Sequence, residues 1–337
     1  MDISRRKQVI LAEIVALHTD SGDLIGSRLL QEFLHGFSVS TATLRNEMAQ
    51  LTSMGLLEQP HTSAGRVPTE QGYRYYLNNL MQARPLDKSE RTEILDEVEK
   101  MDSDPDKAAQ YAAASVSRLS GLAAIATTPI SGEMQMSYFE LVRVGRYNVA
   151  VLGITNLGAL KTRICRVPGE LSDSDLENLK NLLNRFMRFV SVSDVTDALL
   201  EEMRTAAGDR KELFDPVLEA AVDILEDSGR VMVFRAGQRD LLRFPEISDH
   251  VEELVRLFED TDGLARLLSR EGSVDCYVGG ELGRGFENLS MIVGRYRVAG
   301  GGHGGIAVVG PVRMNYDRII PRLSAYCSAM SEKLASR

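Results

Sequence analysis

No apolar run in this 337-residue chain approaches the ~18–20 residues that a membrane-spanning helix needs. Arg5, Arg6 and Lys7 stand near the start, but the stretch that follows, Val9 to Leu17, is amphipathic and interrupted by Glu13, unlike the apolar core of a signal peptide. Cysteine is scarce: Cys165, Cys276 and Cys327 are odd in number, far apart, and form no Cys-x-x-Cys pair. That pattern argues against a disulfide framework or a structural zinc and for a reducing compartment, so a cytoplasmic protein is expected.

Catalytic patterns are missing as well. His18, His35, His61, His250 and His303 show no metal-ligand spacing, and there is no nucleophile elbow or zinc-protease helix. The glycine-rich run Ala299–Gly305 lacks the Lys-Ser/Thr pair of a phosphate loop, and Gly283-Arg284-Gly285 lacks the dinucleotide spacing. The first reads better as a hairpin between two strands. Neither an enzyme, a cofactor nor a metal is expected.

Positive charge is also in short supply, with a net charge of −9. It is unevenly spread. Residues 1–84 hold eight Lys+Arg and eight Asp+Glu; of the chain's 39 basic and 48 acidic residues, 31 and 40 therefore remain for the rest. The acid lies in the distal part. Within the neutral first part, Arg5, Arg6, Lys7, Arg28, Arg45, Arg66 and Arg74 are the cations that one face could gather for a polyanion.

What the sequence does contain is concentrated between Ser38 and Asn79. Ser40 can cap a helix, and Leu44, Met48 and Leu51 follow at i, i+4 and i+7 to form its inward stripe. Away from that stripe stand Ala42, Asn46, Ala49 and Ser53, flanked by Thr43, Arg45 and Gln50, with Thr41 at the helix start. A small, polar face with one long cation suits the major groove, where Asn or Gln pairs adenine and methyl groups touch thymine. After Gly55 come two short strand-like pieces around Pro60-His61-Thr62-Ser63-Ala64-Gly65, with Arg66 as the only cation of the block. Thr69 can cap a further helix striped by Tyr73, Tyr76, Leu77 and Leu80. Preceding helices run from Ser4 to Thr19 and from Gly26 to Leu34, the second opening near Ser27, where backbone N–H groups suit a phosphate. Helices followed by a wing and a helix predict a winged helix-turn-helix.

The run Ser40–Met48, the block His61-Thr62-Ser63-Ala64-Gly65-Arg66-Val67-Pro68-Thr69, the run Gly72-Tyr73-Arg74-Tyr75-Tyr76 and the distal Gly310-Pro311-Val312-Arg313-Met314-Asn315-Tyr316 closely resemble the HrcA family of bacterial heat-inducible transcription repressors. The chain departs from the family pattern at Leu24-Ile25, Leu44 and Val312, none of which removes a polar group suited to DNA. The resemblance implies a homodimer that represses chaperone operons by binding double-stranded DNA at an inverted repeat, the CIRCE element. It further implies relief by heat, the chaperonin GroEL as partner, and no membrane association. DNA contacts are expected from Ser27, Ser40, Thr41, Ala42, Thr43, Arg45, Asn46, Gln50, His61, Thr62, Ser63, Arg66 and Arg74.

Beyond Pro85 the chain reads as helical from Asp87 to about Ala124, then as strands at Tyr138–Val144, Tyr147–Ile154 and Ala159–Val167 and a helix from Leu171 to Val190. A charge-dense, mostly helical interval from Val195 to Glu271 includes one strand pair, Val231–Phe234 with Leu241–Phe244. Strands resume at Val274–Val278, Leu289–Val298 and Gly305–Val309 before a closing helix from Tyr316. Strands, helices, then strands again predict a multidomain α+β chain with one domain inserted in another. With the resemblance, the expected division is a winged helix-turn-helix at 1–84, a GAF-like domain at 85–194 and 272–337, and an inserted dimerisation domain at 195–271. A GAF-like domain admits an alternative role, a small-molecule sensor with an apolar pocket at Phe139, Val149, Val151, Met291 and Val293.

Overall fold

The computed structural model describes residues 3–34, 39–60, 65–130, 134–270, 272 and 274–335. The N-terminal part holds α1 (Arg5–Ser21), α2 (Ser27–Phe33), α3 (Thr41–Ser53), β1 (Leu57–Glu58), β2 (Val67–Pro68) and α4 (Glu70–Asn79). Their ends follow local chemistry. Gly22, at φ 74°, closes α1 by donating its N–H to the His18 carbonyl at 2.8 Å. The Ser40 hydroxyl accepts from the Thr43 N–H at 3.1 Å, and the Thr69 hydroxyl from the Gly72 N–H at 3.0 Å. Leu44, Met48 and Leu51 point into a core with Ile10, Leu11, Ile14 and Leu30, so the predicted stripe of α3 is its buried face. β1 and β2 pair antiparallel, and Ile25 bridges Arg66 beside them.

Next come α5 (Lys88–Glu99), α6 (Pro105–Ser120) and β3 (Ala123–Thr127). The single long helix expected here is two helices and a strand. Asp87 and Asp104 each start a helix by accepting backbone N–H bonds, and Gly121, at φ 67°, ends the second. β3 is buried along its whole length, so its Ala-rich sequence shows none of the alternation that marks a strand with one wet face.

β3 belongs to a five-stranded antiparallel sheet in the order β7-β3-β10-β9-β8, built with β7 (Val233–Ala236), β8 (Asp275–Val278), β9 (Leu289–Arg297) and β10 (His303–Pro311). Helices cover both faces. A Cβ at Gly294 of β9 would meet Leu323 and Cys327 of α13 (Tyr316–Ala335), whereas one at Gly305 of β10 would meet Leu268. Leu268 ends α12 (Thr261–Leu268), which follows α10 (Pro245–Ser248) and α11 (Val251–Glu259). The run Leu241–Phe244 is not a strand: Gln238–Arg243 forms a 3-10 helix. The glycine-rich stretch at 299–302 does link two paired strands, β9 and β10, as expected, with Gly300 and Gly301 at positive φ.

A second, separate core lies between β3 and β7. β4 (Met136–Arg143), β5 (Asn148–Thr155) and β6 (Leu160–Arg166) form an antiparallel sheet in that order. One face packs on α7 (Asp173–Met187), α8 (Asp197–Ala207) and α9 (Lys211–Ser228), with Phe139, Val151, Leu183, Met203, Phe214 and Ile224 buried between them. The insertion is therefore the segment between Thr127 and Val233, residues that pair directly in β3 and β7, and not 195–271. Hairpin signals marked the strands correctly but carry no information on which sheet each joins. The pocket conceived from Phe139, Val149, Val151, Met291 and Val293 dissolves for the same reason: the first three lie in this core and the last two in the five-stranded one.

Candidate nucleic-acid interface

Of the N-terminal helices, α3 presents the face the sequence predicted. Ala42, Arg45, Asn46, Ala49, Gln50 and Ser53 are exposed, while Thr41 and Thr43 are half-buried at its first turn. Three neighbours hold the polar groups in place. Arg45 Nε donates to the Ser27 hydroxyl at 3.3 Å, and Ser27, at 8% exposure, is a buried support for that arginine. Arg66 Nε donates to Thr52 Oγ1 in the last turn of α3 at 3.1 Å, and its backbone exchanges two bonds with Ile25. The half-buried Arg66 guanidinium therefore lies against α3, bringing the strand and helix cations toward one surface.

Acid stands beside these cations as well. Glu47, on α3 itself, faces Lys7 at 3.0 Å and Arg6 at 3.5 Å, so two of the expected cations are matched internally. Arg74 is a clearer departure. Its Nε donates to Glu281 Oε1 at 2.8 Å and its Nη2 to the Cys276 carbonyl at 2.6 Å, across the junction with the distal part. An arginine half-buried in that junction is spent on protein partners, because α4 packs its Arg74 face onto β8 and the turn after it. His61, Thr62 and Ser63 lie outside the described residues.

The residues that sequence reasoning missed are those of the junction. Arg313 donates to Glu246 Oε1 at 2.5 Å and to the Thr19 carbonyl, at the end of α1, at 3.3 Å. The Gly280 N–H donates to Glu70 at 3.1 Å. Burial holds the nearby His18 imidazole below its usual pKa and pushes the Cys276 thiol up to about 12. Arg313 lies in the distal block that carried the family resemblance, a signal that marked the residue without revealing its partner. Among the described residues no group of three or more His, Cys, Asp or Glu is placed to hold a metal ion, and no helix is long and apolar enough to cross a membrane.

Fold and site together define an α+β chain whose N-terminal helical part holds one polar helix face outward and is bolted to a sheet-centred distal part. The model of the HrcA protein C-terminal domain matches residues 106–320, and the chain belongs to the HrcA family. It is 32% identical to the heat-inducible transcription repressor HrcA of Natranaerobius thermophilus, across 95% of this chain and 94% of that protein. The protein of the same name from Geobacter sulfurreducens is also 32% identical, across 95% of both chains. A crystal structure of a hypothetical protein shares the fold at a TM-score of 0.71 and 22% identity, covering 99% of each chain.

Proposed function

We propose that this protein is a heat-inducible transcription repressor whose residues 1–84 act as a winged helix-turn-helix on DNA. The observation that carries the reading is the outer face of α3. Ala42, Arg45, Asn46, Ala49 and Gln50 are exposed on one helix while Leu44, Met48 and Leu51 anchor it from beneath. A rigidly seated helix offering an Asn, a Gln, an Arg and small methyl groups matches the donor, acceptor and methyl pattern of the major groove. Arg45, braced by Ser27, and Arg66, braced by Thr52, supply the cations for phosphates or a narrow groove beside it. The names of the relatives and the family resemblance supply the rest of the proposal: an inverted-repeat operator resembling the CIRCE element ahead of chaperone genes, release on heat stress, and GroEL as partner.

An inverted repeat calls for two copies related by two-fold symmetry, and the three-stranded sheet offers the surface to join them. Its register places Tyr138, Ile154 and Leu160 in one row, Glu140, Leu152 and Thr162 in the next, and Val142, Ala150 and Ile164 in the third, all on the face away from α9. Ile164 is 68% exposed, Leu160 49% and Val142 44%. An open apolar sheet face of this kind is unusual on a monomer and normal at an obligate interface. The inserted dimerisation domain is thus assigned to the β4–α9 segment, and the partner is a second copy.

Binding of the full-length protein to a labelled inverted-repeat duplex and to random DNA tests the reading. Asn46→Ala should weaken operator binding by ~1–3 kcal/mol and random-DNA binding much less. Unchanged operator affinity would remove α3 from the groove.

A further inference from the structure

In the N-terminal part a hydroxyl holds each of two arginines through Nε. Ser27 Oγ accepts from Arg45 at 3.3 Å, and Thr52 Oγ1 accepts from Arg66 at 3.1 Å. Among the described residues no carboxylate pairs with either arginine. Arg6 and Lys7 differ, since both face the Glu47 carboxylate, at 3.5 and 3.0 Å. A hydroxyl aims a guanidinium and leaves its charge whole, whereas a carboxylate offsets that charge.

The braces are themselves fixed. Ser27 is 8% exposed. Thr52 donates its own hydroxyl proton to the Met48 carbonyl at 3.0 Å, which leaves its lone pairs for Arg66. Both arginines are also tied to one short segment, Ile25–Ser27. The Arg66 backbone exchanges bonds with Ile25 at 2.9 and 3.0 Å, while Arg45 reaches Ser27. A Cβ at Gly65 would stand 2.5 Å from the Ile25 carbonyl oxygen, so the chain before Arg66 lies directly on that segment.

Arg45 and Thr52 stand two turns apart on α3, about 10 Å along its axis, and share one flank of the helix. Glu47 turns to the opposite flank, where it meets Arg6 and Lys7. When a helix lies along a groove, each flank faces one sugar–phosphate strand. At ~3.4 Å per phosphate, a span of about 10 Å covers roughly three phosphates of that strand.

We propose that Ser27 and Thr52 are positioning residues that aim Arg45 and Arg66 at separate phosphates of the same DNA strand in each half-site. The inference rests on the proposed function and adds to it which strand is gripped and what prepares the grip. The gain is preorganisation, because a long side chain that is already aimed loses less freedom on binding.

Ethylation interference and salt titration of the full-length protein on the inverted-repeat duplex test it. Arg45→Ala and Arg66→Ala should each erase interference at one phosphate, both on the same strand, and each reduce the salt slope by ~0.9. Ser27→Ala and Thr52→Val should weaken binding ~3–10-fold at an unchanged salt slope, because the charges remain. Thr52→Ser, which keeps the hydroxyl, should bind like wild type. Ser27→Ala should add nothing in the Arg45→Ala background, whereas a merely structural defect would weaken both backgrounds equally. Phosphates on opposite strands, equal loss in both backgrounds, or full affinity in Ser27→Ala and Thr52→Val overturns the inference. If Asn46→Ala still weakens operator binding in that event, the proposed function stands; a wild type that does not bind the duplex overturns both.

Discussion

The rings of Tyr73 and Tyr316 stand 6.1 Å apart, tilted at 54°, and both residues are buried. One belongs to the Gly72–Tyr76 run and the other to the Gly310–Tyr316 block, two separate pieces of the sequence pattern that marks the family. The Tyr316 hydroxyl donates to the Val312 carbonyl at 2.7 Å, fixing the distal block against its own sheet. These two pieces of the pattern are thus one physical object, the seat of the N-terminal part on the distal part.

Arg74 belongs to that seat, bonded to Glu281 and the Cys276 carbonyl, and is therefore expected to make no phosphate contact. Arg74→Ala should leave the slope of log affinity against log salt unchanged, where loss of a phosphate contact would reduce it by ~0.9. A double-mutant cycle with Glu281→Ala, read by urea denaturation, should give a coupling of about 1 kcal/mol, because both side chains are partly exposed to solvent.

Gly72 is required by packing. A Cβ there would sit 2.0 Å from the Leu56 carbonyl, backbone that cannot step aside. Gly72→Ala should therefore lower stability by about 1–3 kcal/mol, since α4 must be pushed off the β1 strand. Melting of the variant at unchanged secondary-structure content checks it.

Ile164→Glu places a charge on the open sheet face. With the side chain 68% exposed, the monomer fold should lose less than about 0.5 kcal/mol. The expected outcome is dissociation of the proposed dimer in sedimentation velocity, with a fall of ~10²-fold or more in affinity for the proposed operator as the second half-site contact stops being intramolecular. A dimer of wild-type strength would move the interface elsewhere.

Alkaline pH should weaken the fold through Cys327, whose thiol burial pushes up to about 12. An unfolded thiol ionises near ~8.5. The native state holds its proton longer, so the stabilisation from this group is complete below that value and is lost as pH rises toward 12. At pH 10 the loss should be on the order of 2 kcal/mol. Urea midpoints of wild type and Cys327→Ala, compared at pH 7 and pH 10, should show a smaller alkaline loss in the variant. Iodoacetamide should also label Cys327 only as fast as the protein opens.

The sequence by itself determined the parts that local chemistry controls. The caps Ser40 and Thr69, the Leu44–Met48–Leu51 stripe and the exposed face holding Asn46 were all legible, because helix periodicity and capping are written within a few residues. So were β4, β5, β6, β9 and β10, whose turns carry their own signals. Tertiary structure alone decided the partners. Whether Arg74 meets phosphate or Glu281, which sheet the strands at 136–166 enter, and which residue braces Arg45 all depend on groups far apart in the chain. The uniformly buried β3 reads as helix in the sequence for a related reason: a strand covered on both faces shows no alternation, and only its neighbours β7 and β10 supply its hydrogen bonds.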